Sequence, residues 1–240
     1  MTHLIIGYGQ IGKAIFQLFN GACKLDKGEV LEPVAKLDNG GSTEQQFDVV
    51  HICFPFSKDF IQQVIEYKNK YLKDKGILII HSTVPVGISA TVGAVHSPVR
   101  GKHPDLLEGI KTFVKYFGGK DAARAATFFE EVGISTKVTE KSENTEAMKL
   151  WDTTQYGWNI LLEKAIYGWC KKKGLDFDLI YTHANKTYNE GYKGLDHPEF
   201  KKYVLEHKEG NIGGHCVTQN CLLLDHPITR QILMINKMLK

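Results

Sequence analysis

His3-Leu4-Ile5-Ile6-Gly7-Tyr8-Gly9-Gln10-Ile11-Gly12 is a short apolar run that breaks into three glycines at the spacing G-x-G-x-x-G. An apolar strand feeding such a turn exposes the amides of the next helix's N-terminus, where bare backbone and the helix dipole both favour a pyrophosphate. The context supports that reading, because Lys13-Ala14-Ile15-Phe16-Gln17-Leu18-Phe19 follows with apolar residues at helical spacing. The stretch therefore predicts a strand, a glycine turn and a helix that together hold a dinucleotide. Gly7, Tyr8, Gly9, Gln10, Ile11 and Gly12 are its candidate cofactor contacts.

Moving outward, Asn20 to Pro33 mixes Gly, Lys, Asp and Glu and reads as an irregular connection, after which Val34-Ala35-Lys36-Leu37-Asp38 reads as the second strand. An acid at that strand end accepts hydrogen bonds from ribose hydroxyls and repels a 2′-phosphate, so Asp38 is the candidate ribose contact and NAD the expected cofactor over NADP. Glu29 and Glu32 compete for the role, and Asp38 could equally begin an Asp-Asn-Gly-Gly turn. Asp48-Val49-Val50-His51-Ile52-Cys53-Phe54-Pro55 is a continuous apolar strand of the kind buried in parallel sheets, and Phe54 and Pro55 end it where a cofactor would lie. Phe60 to Leu72 is a predicted helix. Gly76 to His81 is another buried strand running into Ser82-Thr83-Val84-Pro85-Val86-Gly87, where Ser82 and Thr83 are candidate hydroxyl contacts or helix caps. Strands at 95–98, 113–119 and 136–138 and a helix at 122–132 complete a doubly wound α/β, Rossmann-like sheet of six to eight strands over residues 1–140.

Residues 141–240 form a second, helical domain. From Thr145 to Lys173 there is no proline, and the apolar pattern repeats at 3.6 residues, implying one central helix of roughly 40 Å. Trp151, Trp158, Leu162, Ala165 and Trp169 share a stripe, read as core or subunit interface; Lys149, Thr153, Tyr156, Glu163 and Tyr167 lie nearly opposite. A Glu and a Lys on a largely buried helix require partners or a ligand; a solvated face is the alternative. Lys171-Lys172-Lys173-Gly174 is an ordinary helix end. Residues 175–209 read as helical pieces. In Gly213-Gly214-His215-Cys216 the paired glycines admit a ligand to the backbone, and a thiolate at a helix start gains from the dipole and from cations such as Lys149. A free cysteine is also a common small core residue, and His215 or His226 could serve the thiol as base only if its ring turns to the sulfur.

Composition excludes several classes. A net charge of +3 on 240 residues does not point to nucleic acid or an anionic membrane. No apolar run of about eighteen residues exists and the N-terminus lacks a signal-peptide pattern, so a soluble cytoplasmic protein is expected. Five cysteines at scattered spacing suit reduced thiols, and ten histidines form no H-x-x-x-H or H-E-x-x-H, so no metal is expected.

Taken together, several stretches resemble the UDP-glucose/GDP-mannose dehydrogenase family of nucleotide-sugar 6-dehydrogenases. They are Gly7 to Gly12, Asp48 to Pro55, Ser82-Thr83-Val84-Pro85-Val86-Gly87, Ser97-Pro98-Val99-Arg100, Phe117-Gly118-Gly119, Glu146-Ala147-Met148-Lys149-Leu150 and Gly213-Gly214-His215-Cys216, in family order. The S-T-V-P-V-G and G-G-H-C pieces are the specific ones. The resemblance implies oxidation of a sugar's primary alcohol by NAD through a cysteine-bound thiohemiacetal and thioester. By position, Cys216 is then the nucleophile, Lys149 the oxyanion-stabilising cation, Thr83 an orienting hydroxyl, and a sugar or sugar nucleotide the substrate. It also implies a homodimer through the long helix. Departures are specific: the family's S-P-E-R acid is Val99, a helical Asn is Thr153, and the Asp four residues after the nucleophile is Asn220. Pro227 to Leu233 resembles the start of the helix leading to the family's third domain, which is expected to be missing. Two further possibilities follow: a two-electron β-hydroxyacid-type dehydrogenase using Lys149, and a catalytically silent NAD-binding dimeric subunit.

Overall fold

The computed structural model describes residues 1–19, 23–26, 29–31, 46–101, 105–213 and 215–239. The chain divides into two compact units, Met1–Lys149 and Leu150–Lys240.

The first unit is built on an eight-stranded sheet. Its strands are β1 His3–Ile6, β2 Cys23–Asp26, β3 Glu29–Leu31, β4 Phe47–Ile52, β5 Leu72–Ile80, β6 Val95–His96, β7 Lys115–Gly118 and β8 Thr136–Thr139, in the order β3-β2-β1-β4-β5-β6-β7-β8. β2, β1, β4, β5 and β6 run parallel, β3 folds back on β2, and β7 with β8 runs against β6. Alternation of side chains sends Ile5, Val49, Ile77 and Ile79 into one core and Leu4, Ile6, Val50, Ile52, Leu78 and Ile80 into another. Both faces are therefore covered, as unbroken apolar runs require, and each fully buried Leu or Ile contributes about 1.5–3 kcal/mol. Helices α1 Gln10–Leu18, α2 Phe60–Tyr71, α3 Ile88–Thr91, α4 Leu106–Thr112 and α5 Ala122–Glu130 supply the covering layers. β1 pairs with β2 on one side and β4 on the other, so the chain reverses direction across the sheet beside β1. Ligands in open α/β sheets lie at the carboxyl ends of such a pair.

On the side of β1 away from β4 the paired strand is Cys23–Asp26, within the stretch that reads as an irregular connection. Its Cys-Lys-Leu-Asp sequence carries no apolar run, which is why periodicity reads it as connection. The expected strand at 34–38, with Asp38, lies outside the described residues. β5 begins at Leu72, four residues before the apolar run, because Phe47 pairs with Leu72 ahead of a register shift. β7 starts at Lys115, since Phe113 and Val114 are exposed.

A long helix, α6, spans Ser142–Lys173, and the division between units falls inside it. The second unit continues with a π-helical turn at Asp178–His183, α7 Ala184–Gly194, a 3-10 turn at Pro198–Phe200, α8 His215–Leu223 and α9 Pro227–Met238. Leu161 of α6 packs with Ile212, Val217, Cys221 and Ile232 as its small core. Gly157 is required there: a Cβ would sit 2.5 Å from the Val217 side chain.

Candidate active site

At the carboxyl end of β1, Gly7 takes a positive φ of 91° and a Cβ on it would lie 2.8 Å from the Phe54 nitrogen. A Cβ on Gly12 would lie 1.9 Å from the Gly7 carbonyl oxygen. Only glycine lets the turn fold against β4 and lets α1 start this close to β1. Gly9 differs: a Cβ there would meet nothing within 4 Å, and the residue begins α1 without a side-chain cap or a first-turn acid. The first amides of α1 are thus left open to an anion, which is the arrangement a pyrophosphate requires. Gln10 is exposed at that end, Ile11 packs on the core, and Tyr8 meets Phe16 edge-on with Lys13 Nζ 5.9 Å from its ring.

The neighbouring strand ends are tied together. Ser82 Oγ donates to the Phe54 carbonyl at 2.6 Å, so this hydroxyl fixes the loop after β4, while half-buried Thr83 follows and Pro55 is exposed. The Ser82–Gly87 loop is held from α6: Glu146, fully buried, accepts the Gly87 and Ser89 amides at 2.6 and 2.8 Å. Nothing in the apolar pattern singles out Glu146. Its signal is a carboxylate three residues before Lys149 on a helix face otherwise facing the core. His96 bridges the same parts, bonded to Thr145 Oγ1 at 2.8 Å and the Ser82 carbonyl at 3.2 Å, and burial lowers its pKa to about 3. Gly118 makes this junction possible, since a Cβ there would lie 2.6 Å from the Lys141 carbonyl.

Lys149 Nζ donates to the Val99 carbonyl at 3.0 Å. Lys115, fully inside the unit, donates to the Ser97 and Pro98 carbonyls at 3.0 and 3.4 Å, so two ammonium groups sit on three consecutive carbonyls. Burial lowers the Lys115 pKa to about 7. Sequence reasoning misses Lys115, since one lysine in a strand of aromatic residues has no pattern of its own. Val99 is buried, offering its carbonyl where the family pattern has an acid.

In the second unit, Cys216 is exposed in the first turn of α8, whereas Cys170 and Cys221 are buried, as is Cys53 in the first unit. Gly214 and the His215 side chain lie outside the described residues. His226 is committed elsewhere, its Nδ1 accepting the Ile228 amide at 3.2 Å to cap α9. Asn220, buried, donates to Thr153 Oγ1 at 3.1 Å. On the second stripe of α6, Glu163 accepts from His207 at 2.7 Å and Tyr167 stacks on the same imidazole, while Tyr156 is exposed; beside the stripe, Lys164 donates to the Lys208 carbonyl. The tryptophan stripe stays open, with Trp151 and Trp158 40% and Leu162 and Trp169 53% exposed. Among the described residues no three His, Cys, Asp or Glu side chains converge as a metal site, and no helix is long and apolar enough to cross a membrane. A cavity of about 800 Å³ opens beside Lys68, Lys73, Asp74 and Lys120 at the start of β5, away from the glycine turn and with mixed charge.

A doubly wound sheet with a close-packed glycine turn beside β1, followed by a long helix, is a fold also found in solved sugar and hydroxyacid dehydrogenases. Among solved structures, a UDP-D-ManNAc dehydrogenase from Pyrococcus horikoshii shares this fold at a TM-score of 0.78 and 18% identity, over 100% of this chain and 69% of that one. The UDP-N-acetyl-mannosamine dehydrogenase of Staphylococcus aureus does so at 0.71 and 16% identity, over 100% and 68%. A 3-hydroxyisobutyrate dehydrogenase from Mycobacterium tuberculosis does so at 0.66 and 13%, over 99% and 92%. No protein-family model and no curated protein sequence matches the chain.

Proposed function

We propose that the chain is a cytoplasmic, NAD-dependent dehydrogenase that oxidises a primary alcohol of a sugar or sugar nucleotide. The observation that carries this reading is the glycine turn beside β1: Gly7 and Gly12 are sterically obligatory, whereas Gly9 opens α1's amides without a cap. Residues Gly7 to Gly12 would hold the pyrophosphate, with Phe54, Pro55, Ser82 and Thr83 at the adjoining strand ends. NAD supplies the hydride acceptor when bound. Lys149 then serves the alcohol oxygen, since hydride leaves only as that oxygen loses its proton and its charge is stabilised. Exposed Cys216 serves as the nucleophile for the aldehyde, and Thr83 orients a hydroxyl or water. Among the described residues, the free thiols of Cys53, Cys170, Cys216 and Cys221 fit a reducing compartment. A homodimer through α6 would cover the open tryptophan stripe.

One observation favours the two-electron alternative. Val99 and Asn220 provide no carboxylate, and the Asn220 amide is engaged by Thr153, so neither residue can serve as a base for thioester hydrolysis. Incubation of the purified chain with NAD and a panel of UDP-sugars, counting NADH per sugar consumed, separates the readings. Two NADH with loss of acid formation in Cys216→Ala supports the cysteine route; one NADH with Cys216→Ser active supports the two-electron route. No turnover across the panel, with NAD still bound, leaves a silent NAD-binding subunit.

A further inference from the structure

Three histidines form a hydrogen-bonded file across one face of the sheet. His3 Nδ1 lies 3.0 Å from His51 Nε2, His51 Nδ1 lies 3.0 Å from His81 Nε2, and His81 Nδ1 lies 2.8 Å from the Ser97 carbonyl and 3.4 Å from Lys115 Nζ. His3 is half-buried at the start of β1, while His51 and His81 are fully buried. Phe19 stacks on His3, and Phe129 meets both His51 and His81 edge-on, so the file runs through an aromatic sleeve with no room for water to bridge its links. We propose that this file is a proton conduit between the surface at His3 and the buried amine of Lys115.

Two hydrogen-bonding patterns can be drawn through the file, and they differ in the bond from His81 Nδ1 to the Ser97 carbonyl, which only the first makes. In the first, Lys115 is a neutral amine, and each ring carries its proton on Nδ1: His3 donates to His51, His51 to His81, and His81 to the Ser97 carbonyl and the lysine lone pair. In the second, Lys115 is an ammonium whose three protons go to the Ser97 carbonyl, the Pro98 carbonyl and His81 Nδ1. Each ring then carries its proton on Nε2 and donates in the opposite direction, while His81 Nδ1, now without a proton, gives up its bond to the Ser97 carbonyl and must draw back from that oxygen toward Lys115 Nζ. One proton taken up at His3 Nε2, with one proton passed at each link, converts the first pattern into the second. Lys115 gains that proton and every ring ends neutral. Burial holds His51 and His81 well below the ordinary histidine range, which favours neutral rings at rest, and places Lys115 at about 7. The groups facing Lys115 are His51, His81, His96, Cys53 and Lys149; those facing His3 are His51, the N-terminal amine and Asp48, itself bonded to Lys73.

What the conduit serves rests on the dehydrogenase reading: each hydride removed from an alcohol leaves a proton to be cleared. The file would carry outward a proton that has reached Lys115, whose Pro98 carbonyl seat is next in the chain to the Val99 carbonyl held by Lys149.

Nitrogen-15 NMR of the histidine-labelled full chain tests the conduit without any variant. As the pH falls through about 7, His51 and His81 should move their protons from Nδ1 to Nε2 together, with the midpoint of the Lys115 amine. Rings that keep one tautomer while Lys115 changes charge, or a Lys115 that keeps one charge across about pH 5 to about 10, would overturn the proposal. Lys115→Met should freeze both rings as Nδ1–H. His51→Phe, which keeps a ring in the sleeve, should slow exchange of the Lys115 amine protons with water by at least about tenfold, and unchanged exchange would also overturn it. A coupled tautomer switch in a chain that turns over no alcohol would leave the conduit standing and remove only its use.

Discussion

Asn220 Nδ2 donates to Thr153 Oγ1 at 3.1 Å, so two positions at which the sequence departs from the nucleotide-sugar dehydrogenase pattern are hydrogen-bonded to each other. Thr153 Oγ1 also bonds to the Leu150 carbonyl at 3.0 Å, which leaves the hydroxyl oxygen as the acceptor for the amide. The replacements form a unit. Asn220→Ala should cost about 1 kcal/mol, and combining it with Thr153→Ala should reveal a coupling energy of about 0.5 kcal/mol or more in urea denaturation. Strict additivity would show that the bond carries no stability.

The glycine turn separates steric from ligand roles. Gly12→Ala should destabilise by about 3 kcal/mol or prevent folding, because its Cβ would overlap the Gly7 carbonyl oxygen. Gly9→Ala has open space and an ordinary φ of −74°, so its melting temperature should match the parent. Weaker NADH binding in Gly9→Ala, measured by fluorescence titration, is expected if the bare end of α1 receives the pyrophosphate.

Removing the Glu146 carboxylate strands two amides inside the first unit. Glu146→Ala should cost about 2–5 kcal/mol, and Glu146→Gln, which retains one acceptor, about half as much. Thermal melts of the two variants check the order.

Stability should rise with pH in two windows. The folded pKa of His3 is lowered to about 4 and that of His96 to about 3, so the unfolded chain binds more protons between those values and 6.5, and acidification there destabilises. Lys115 has its folded pKa lowered from 10.5 to about 7, so stability rises again from about 7, until above the ordinary thiol value of 9.0 the buried Cys53, whose pKa burial raises, offsets the gain. Urea midpoints against pH should show both slopes, and Lys115→Met should abolish the upper one alone.

The open stripe of α6 gives a clean interface test. Leu162 is 53% exposed, so Leu162→Asp should leave the fold and melting temperature of the chain close to the parent. Sedimentation should show a dimer for the parent and a monomer for the variant if α6 is the subunit seam.

Strong periodic signals carry most of the fold. The β1 turn and the β4 and β5 runs are legible because the residues that form them also fill the core, whereas α6 is legible from its unbroken, proline-free period although its tryptophan stripe stays exposed. The Lys173-Gly174 ending is legible for another reason: Gly174 takes a φ of 65°, which glycine permits. β2 is not, because its four residues include Lys and Asp and owe their conformation to pairing with β1. The parts of the site held by long-range polar contacts are equally silent. Glu146 meets amides 57 and 59 residues away, and Lys115 meets carbonyls 17 and 18 away, separations no local pattern encodes.

Gly118 shows what a missing atom can govern. Because any Cβ there would collide with the Lys141 carbonyl and with Thr145 Oγ1, a substitution must push the start of α6 off the sheet. The carboxylate of Glu146 and the ammonium of Lys149 travel with that segment, so the Ser82–Gly87 loop would loosen and the cation would leave its carbonyl seat together. A mutational scan scored by turnover would rank Gly118 among the reactive groups, although it has no side chain with which to react. A scan scored by abundance alone would file the same position under folding.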